Sequence, residues 1–176
     1  PVRHKTKFIA VRYGNVLGSN GSVVLKIIEQ IKSGEKITIT DPSMTRFNIT
    51  MNQALDLIER ATATGKGGEV FIPKLLAYSV GDLKDALLDL FEGKNYTEMI
   101  SVRPGEKFHE SLLTVDELRY TYESKHDYIL IEKNDVGKKH AHDYEKTSLN
   151  EQYSSNGVKL LTKDELKDIL LKEDLI

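Results

Sequence analysis

The chain has 176 residues, 30% of them charged and 39% hydrophobic, with a formal net charge of −2. That balance gives no general pull toward nucleic acid or an anionic membrane, and no apolar run nears the roughly 18 residues of a membrane-spanning helix. No cysteine occurs, which excludes disulfides and thiolate metal sites. With no signal-peptide pattern visible, the expectation is a cytoplasmic protein of one modest domain, or a piece of a larger one.

Lys7–Tyr13, "KFIAVRY", is a short apolar run that predicts a strand buried on both faces. Three glycines follow in "RYGNVLGSNGSVV" (Gly14, Gly18, Gly21). Ser22 then caps a predicted helix whose apolar residues Val23, Val24, Ile27, Ile28 and Ile31 share one face, ended by Gly34. "KITITD" alternates as a strand. Thr50 and Gln53 open a helix with Ala54, Leu57, Ile58 and Ala61 inward. "GKGG" reads as a turn and "EVFI" as a strand. Ser79 and Asp82 start another helix, with Leu83, Ala86, Leu87 and Leu90 inward. "MISV" is a strand stopped by "RPGE". Thr114 with Glu117, and Thr162 with Glu165, cap two short helices, and "YILI" at Tyr128–Ile131 is one more strand. Strands alternating with helices predict an α/β fold with a partly parallel sheet. From about Glu132 to Gly157 the chain turns polar, so 133–157 is expected to be a loop or linker leading to a C-terminal helix in 158–176.

The glycine loop has two readings. Strand, glycine loop, helix and a second strand ending in Asp41 imitate a dinucleotide-binding unit, whose acid holds the adenosine ribose. The spacing is G-x-x-x-G-x-x-G rather than G-x-G-x-x-G, although short-chain dehydrogenases use a similar step. The other reading is a turn in which glycine supplies positive φ. "TDPSMTRFNIT" and "SVRPGEKFHESLL" then place Arg46 and Arg103 on separate loops beside strands. Two guanidinium groups so placed suit a dianion such as a diphosphate. Glu106, across a Pro-Gly turn from Arg103, suits a sugar or ribose hydroxyl. Taken singly, each arginine is better explained by a surface ion pair, and only the two together bring the ligand reading level with it.

The series "RYGNVLGSNGSVV", "TDPSMTRFNIT", "GGEVFIPK" and "SVRPGEKFHE" resembles the second half of the UDP-N-acetylglucosamine 4,6-dehydratases, from about Phe8 to Leu113. These are extended short-chain dehydrogenases of polysaccharide biosynthesis. The ending, "DYILIE" through "EQYSSNGVKLLTKDELKDIL", is similar to the capsule-type branch that inverts C5. The resemblance implies the C-terminal portion of such an enzyme, with the end of a Rossmann sheet and a small substrate-binding α/β domain within 1–132. It also implies a UDP-sugar substrate, NADP or NAD held mostly by an N-terminal region, and a homo-oligomer as the full-length enzyme. The chemistry implied is oxidation at C4, loss of water across C5 and C6, and return of the hydride to C6. By the same resemblance Asn15 lies near the diphosphate and Val16 at the nicotinamide end of the cofactor. Val24, Thr40, Met44 and Arg46 surround the nucleotide-sugar, and Arg103 and Glu106 hold diphosphate and uridine ribose.

The family's cofactor loop (TGxxGxxG) and its YxxxK pair do not occur in these 176 residues. Tyr122 and Lys125 in "RYTYESK" are one residue too close, and that segment is expected to be a charged helix end. The expectation is therefore a substrate-binding portion without turnover of its own. A non-catalytic nucleotide-sugar-binding or assembly module, and a self-sufficient NAD-binding domain, are the alternatives. His140, His142 and Asp143 in "KKHAHDYE" could ligate a metal but read as a solvated segment, so no metal site is expected. His109 and Lys107 are expected to have supporting or solvent-facing roles. The last helix, with Leu166, Ile169 and Leu170 on one side, is expected to pack on the domain or a neighbouring subunit.

Overall fold

A computed structural model describes residues 6–131 and 141–176, with His142 described by its backbone only. In chain order the elements begin with β1 (Ala10–Val11), α1 (Val23–Lys32), β2 (Ile37–Ile39), β3 (Thr45–Asn48), α2 (Met51–Thr64), β4 (Glu69–Pro73) and β5 (Leu76–Ser79). They continue with α3 (Val80–Leu90), β6 (Thr97–Met99), β7 (Ser111–Leu113), β8 (Thr121–Glu123), β9 (Asp127–Ile131), β10 (Glu145–Lys146), β11 (Tyr153–Ser154) and α4 (Lys163–Lys172). The mixed α/β class expected from the sequence is the class observed. Among the described residues no helix is long and apolar enough to cross a membrane.

The chain divides into two compact units, each discontinuous in sequence. The first comprises Pro1–Tyr13, Asn52–Lys74 and Ser111–Tyr153. It carries a sheet in the order β1-β4-β9-β8-β10, parallel only between β1 and β4. Leu57 and Ala61 of α2 pack on Phe71, Ile129 and Ile131, with Ile9, Val11 and Tyr13 partly buried beside them. The opening strand is shorter and more open than its apolar run predicts. Its residues alternate, so that Ile9 and Val11 turn to this cluster while Phe8 is 79% exposed. Among the described residues it has one paired neighbour and one covered face, which explains burial every second residue. Ile58 is also displaced from its expected place. It is 41% exposed, on the flank of α2 with Met51 and Leu55, because Ala54, Leu57 and Ala61 form a stripe too narrow to include it.

Three more local expectations are corrected in this unit. "RYTYESK" contributes a strand, β8, rather than a helix end, since Thr121, Tyr122 and Glu123 pair with Leu130, Ile129 and Tyr128. Thr114 and Glu117 do make their reciprocal bonds, but the segment they open is only a 3-10 turn over Glu117–Tyr120. The polar stretch expected as a linker carries order where it is described, because Glu145 and Lys146 pair with Glu123 and Tyr122.

The second unit comprises Gly14–Met51, Leu75–Glu110 and Ser154–Ile176. Here α1, α3 and α4 surround one core. Val24, Ile27, Ile28 and Ile31 meet Leu83, Ala86 and Leu87 of α3 and Leu166 and Leu170 of α4. Each such fully buried aliphatic side chain contributes about 1.5–3 kcal/mol. Three helix ends follow the sequence signals, whereas Ser22, expected to cap α1, makes no side-chain cap bond. The Ser79 hydroxyl accepts from the Asp82 N–H, Thr162 and Glu165 form a complete capping box, and α1 closes where Gly34 N–H and Glu35 N–H reach Ile31 O and Gln30 O. β2 runs parallel to β6, with Ile39 opposite Met99, and β3 runs antiparallel to β5. The strand expected at Met99–Val102 thus lies two residues earlier, at Thr97–Met99. Pairing with β2 sets that register, and "MISV" alone does not encode it.

The glycine loop is a pair of tight turns. Ser19 N–H bonds to Val16 O and Ser22 N–H to Ser19 O. Gly18 has φ +73°, and a Cβ there would fall 2.2 Å from Leu175 Cδ2, just after α4. Gly18 therefore meets two demands, left-handed backbone and close approach of an apolar side chain. Gly18→Ala is expected to cost about 1–2 kcal/mol from the backbone alone, read as a lower urea midpoint. Adding Leu175→Ala should relieve the clash and leave that backbone cost.

Candidate functional site

The site is built around β3. On one side β3 pairs with β5, setting Arg46 opposite Tyr78. On the other, Thr45 bridges to His109, and Thr45 N–H donates to Phe108 O at 3.0 Å. Ser155, fully buried, locks this second edge. Its hydroxyl accepts from Glu110 N–H at 2.9 Å, donates to Thr45 O at 3.1 Å, and lies 2.7 Å from Thr45 Oγ1. Thr45 Oγ1 also meets His109 Nδ1 at 2.8 Å, which gives His109 a supporting role, and Glu110 Oε2 accepts from Phe47 N–H at 3.0 Å. The "TRF" and "FHE" stretches, more than sixty residues apart in sequence, are thereby fixed side by side.

This arrangement carries the "RPGE" turn over the end of β2. Glu106 N–H donates to Arg103 O at 3.0 Å, and Gly105 takes φ +81°, as a Pro-Gly turn of this type requires. The Glu106 carboxylate accepts from Arg103 N–H at 3.1 Å and from Thr40 Oγ1 at 2.9 Å. The Arg103 N–H bond above all, then the Thr40 hydroxyl and the nearby guanidinium groups of Arg46 and Arg103, hold its pKa below the ordinary value against partial desolvation. It is thus an ionised, acceptor-only group with lone pairs to spare. Arg46 is anchored through one nitrogen, Nη1, to Thr45 O at 2.7 Å and Phe108 O at 3.1 Å, with Nη2 near the Met44 sulfur. The rest of its fork is free of carboxylates among the described residues, as is the guanidinium of Arg103.

These groups line a cavity of about 340 Å³ that lies wholly within the second unit. The eight residues to which the resemblance gives substrate or cofactor roles all reach it: Asn15, Val16, Val24, Thr40, Met44, Arg46, Arg103 and Glu106. Val24 and Met44 are each 1% exposed, so they form wall and core at once, whereas Asn15 and Arg103 are exposed at the mouth. Val16 is held by a parallel bridge to Ile49, reinforced by Leu17 N–H on Ile49 O at 2.8 Å. The structure adds lining that sequence reasoning missed. Tyr78 is buried, with its phenol pushed up and kept neutral chiefly by desolvation, and Ser22 and Lys26 come from the start of α1. Only the β3–β5 register could have revealed Tyr78.

The dinucleotide imitation dissolves at Asp41. Its carboxylate accepts from Ser43 N–H at 2.8 Å and from the Ser43 hydroxyl, which lower its pKa, and it does not line the cavity. Gly18 is likewise committed to a turn packed against Leu175. His140 lies outside the described residues, Asp143 pairs with Lys66 at 2.6 Å, and no cluster of three or more metal-ligating side chains occurs among the described residues.

The described residues form an α/β protein with parallel pairing between β1 and β4 and between β2 and β6. Residues 2–132 match the family described as polysaccharide biosynthesis protein, and the chain belongs to that family, within the extended short-chain dehydrogenases that include nucleotide-sugar epimerases and dehydratases. A UDP-glucose 4-epimerase of Rickettsia massiliae (strain Mtu5) is 37% identical over 175 residues, covering 98% of this chain and 51% of that protein. The chain thus spans about half the length of the curated relatives it matches. The X-ray structure of Pen from Bacillus thuringiensis is similar with a TM-score of 0.88 and 33% identity, over 99% of this chain and 52% of that one. A UDP-N-acetylglucosamine 4-epimerase from Methanobrevibacter ruminantium M1, solved in complex with UDP-N-acetylmuramic acid, shares the fold with a TM-score of 0.50 and 23% identity. That likeness covers 57% of this chain and 35% of that one.

Because the Glu106 pKa is lowered in the folded state, its contribution to stability is fully present above the ordinary value of 4.5 and is lost as pH falls through the folded value. Glu106→Gln should therefore be less stable than the parent chain above about pH 5. The two should converge on acidification below that range, as followed by urea unfolding at a series of pH values.

Proposed function

We propose that this chain supplies the sugar-nucleotide-binding part of an enzyme that remodels a UDP-sugar for surface polysaccharide synthesis. The preferred reading is a UDP-N-acetylglucosamine 4,6-dehydratase of the C5-inverting branch. The observation that carries the binding reading is the convergence of Arg46 and Arg103 on one cavity beside ionised Glu106 and the exposed amide of Asn15. The two guanidinium forks suit the two phosphates of a UDP-sugar as bidentate donors. Glu106 then accepts from a ribose hydroxyl, and Asn15 bonds a phosphate or sugar oxygen. Val24 and Met44 give the apolar wall against which a flat or weakly polar part of the ligand rests.

Holding the diphosphate and ribose fixes where the sugar ring lies, and this orientation is the chain's part in the chemistry. NADP or NAD, when bound to the complete enzyme, accepts and returns the hydride. This chain lacks the YxxxK pair, so turnover by it alone is not expected. A second reading is favoured by the relatives named UDP-glucose 4-epimerase: the same cavity serves an enzyme that inverts C4 without losing water. The two readings share the UDP site and differ in product mass, because dehydration removes one water and epimerisation removes nothing.

Calorimetric titration of the chain with UDP, UDP-N-acetylglucosamine and UDP-glucose tests the binding reading. Arg46→Met and Arg103→Met should each weaken UDP binding by about tenfold or more, the loss expected of a charge-assisted hydrogen bond. Uridine, which lacks the phosphates, should be affected far less. Equal losses for UDP and uridine would remove the diphosphate assignment.

A further inference from the structure

Tyr78 is 5% exposed and lies directly across the ladder from Arg46, so the two side chains stand on the same face of β3 and β5. It belongs to one buried cluster with Leu17, Val24, Ile39, Met44 and Val80, all of which line the cavity with it. Its hydroxyl makes no hydrogen bond among the described residues. The fully enclosed polar side-chain atoms without a partner are Ser22 Oγ and Asn48 Oδ1, and the Tyr78 oxygen is not one of them. It therefore keeps accessible surface, and the open space that Tyr78 borders is the cavity. A tyrosine hydroxyl in such a place ordinarily has a partner, because burial strips it of water. Desolvation above all, then the Glu110 carboxylate, raises its pKa against the opposing pull of Arg46, so the proton stays on the oxygen.

We propose that the Tyr78 hydroxyl donates to a ring carbonyl of the uracil base, which makes Tyr78 a residue that recognises the base of the bound nucleotide. The inference rests on the sugar-nucleotide reading of this cavity. Within that reading Arg46 and Arg103 take the diphosphate and Glu106 the ribose. The sugar has to reach reacting groups that this chain, without a YxxxK pair, does not carry. The base, joined to the ribose, is then the end of the ligand left to the apolar wall. A neutral phenol among aliphatic side chains matches a neutral carbonyl oxygen, whereas a phosphate there would lack a charge to offset its desolvation. The faces of a flat ring rest on Val24 and Met44, and its carbonyl supplies the partner that the hydroxyl lacks in the apoprotein.

The test is Tyr78→Phe, which keeps the ring and removes only the hydroxyl. It is titrated with UDP, UDP-glucose, 2-thio-UDP and 4-thio-UDP, and unfolded thermally without ligand. Each thio analogue exchanges one ring carbonyl oxygen for sulfur, a poorer acceptor. The unaltered chain should bind one of the two analogues about fivefold less tightly than UDP. Tyr78→Phe should bind UDP and UDP-glucose about tenfold less tightly than the unaltered chain, and should no longer distinguish UDP from that analogue. Its apo melting midpoint should be unchanged or raised, since no bond within the protein is lost. Unchanged UDP affinity in Tyr78→Phe overturns the inference and leaves the arginine assignments standing. So does an unaltered chain indifferent to both analogues, or a preference for UDP over them that survives the substitution. A loss confined to UDP-glucose overturns it by placing the hydroxyl on the sugar, and a lowered apo melting midpoint overturns it by showing a partner within the protein. If the unaltered chain fails to bind UDP, the sugar-nucleotide reading falls and this inference falls with it.

Discussion

The site depends on the pairing of β3 along both its edges. One edge is an ordinary antiparallel ladder with β5, and the other is closed by the Phe108–Glu110 segment and sealed by the buried hydroxyl of Ser155. Each of these bonds contributes only about 0.5–1.5 kcal/mol net. Leaving one unmade in the interior costs more than that, so the network is maintained as a whole. Two loops distant in sequence are thereby held in one geometry, and the cavity between them needs no closing motion to exist.

The cavity is polar on one wall and apolar on another because its residues come from elements with different duties. Val24, Met44 and Val80 are core residues of the α1–α3–α4 packing that also reach the cavity. Arg46 and Glu106 are held by backbone groups: carbonyls anchor Arg46, and an amide fixes Glu106. Anchoring a guanidinium by carbonyls rather than by a carboxylate leaves its charge available to a ligand. The Tyr78 phenol, kept neutral chiefly by desolvation, lines the same cavity.

Much of the local structure was legible in the sequence because it depends on neighbours in the chain. The caps at Ser79 and Thr162, the closure of α1 at Gly34 and the strands at "EVFI" and "YILI" obey rules of a few residues' range. The errors fell where a partner decides. β6 moved two residues to match β2, "TYE" became a strand because β9 lay beside it, and Ile58 was left outside by the narrowness of its helix stripe. Ser22 is the instructive case. Its residue type and backbone are those of a cap, yet the hydroxyl is turned away from that bond.

By itself the sequence determined the α/β class, the presence of two arginines and a glutamate on loops beside strands, and the absence of a YxxxK pair from these residues. Charge, spacing and helical period are properties of the chain read in order. Only the tertiary structure decided that Asn15, Thr40, Arg46, Arg103 and Glu106 share one cavity, that Asp41 stabilises a turn instead of facing a ligand, and that Gly18 answers to Leu175. These outcomes depend on hydrogen bonds and contacts between segments far apart in the chain, and a linear pattern carries no record of which distant donor an acceptor will meet.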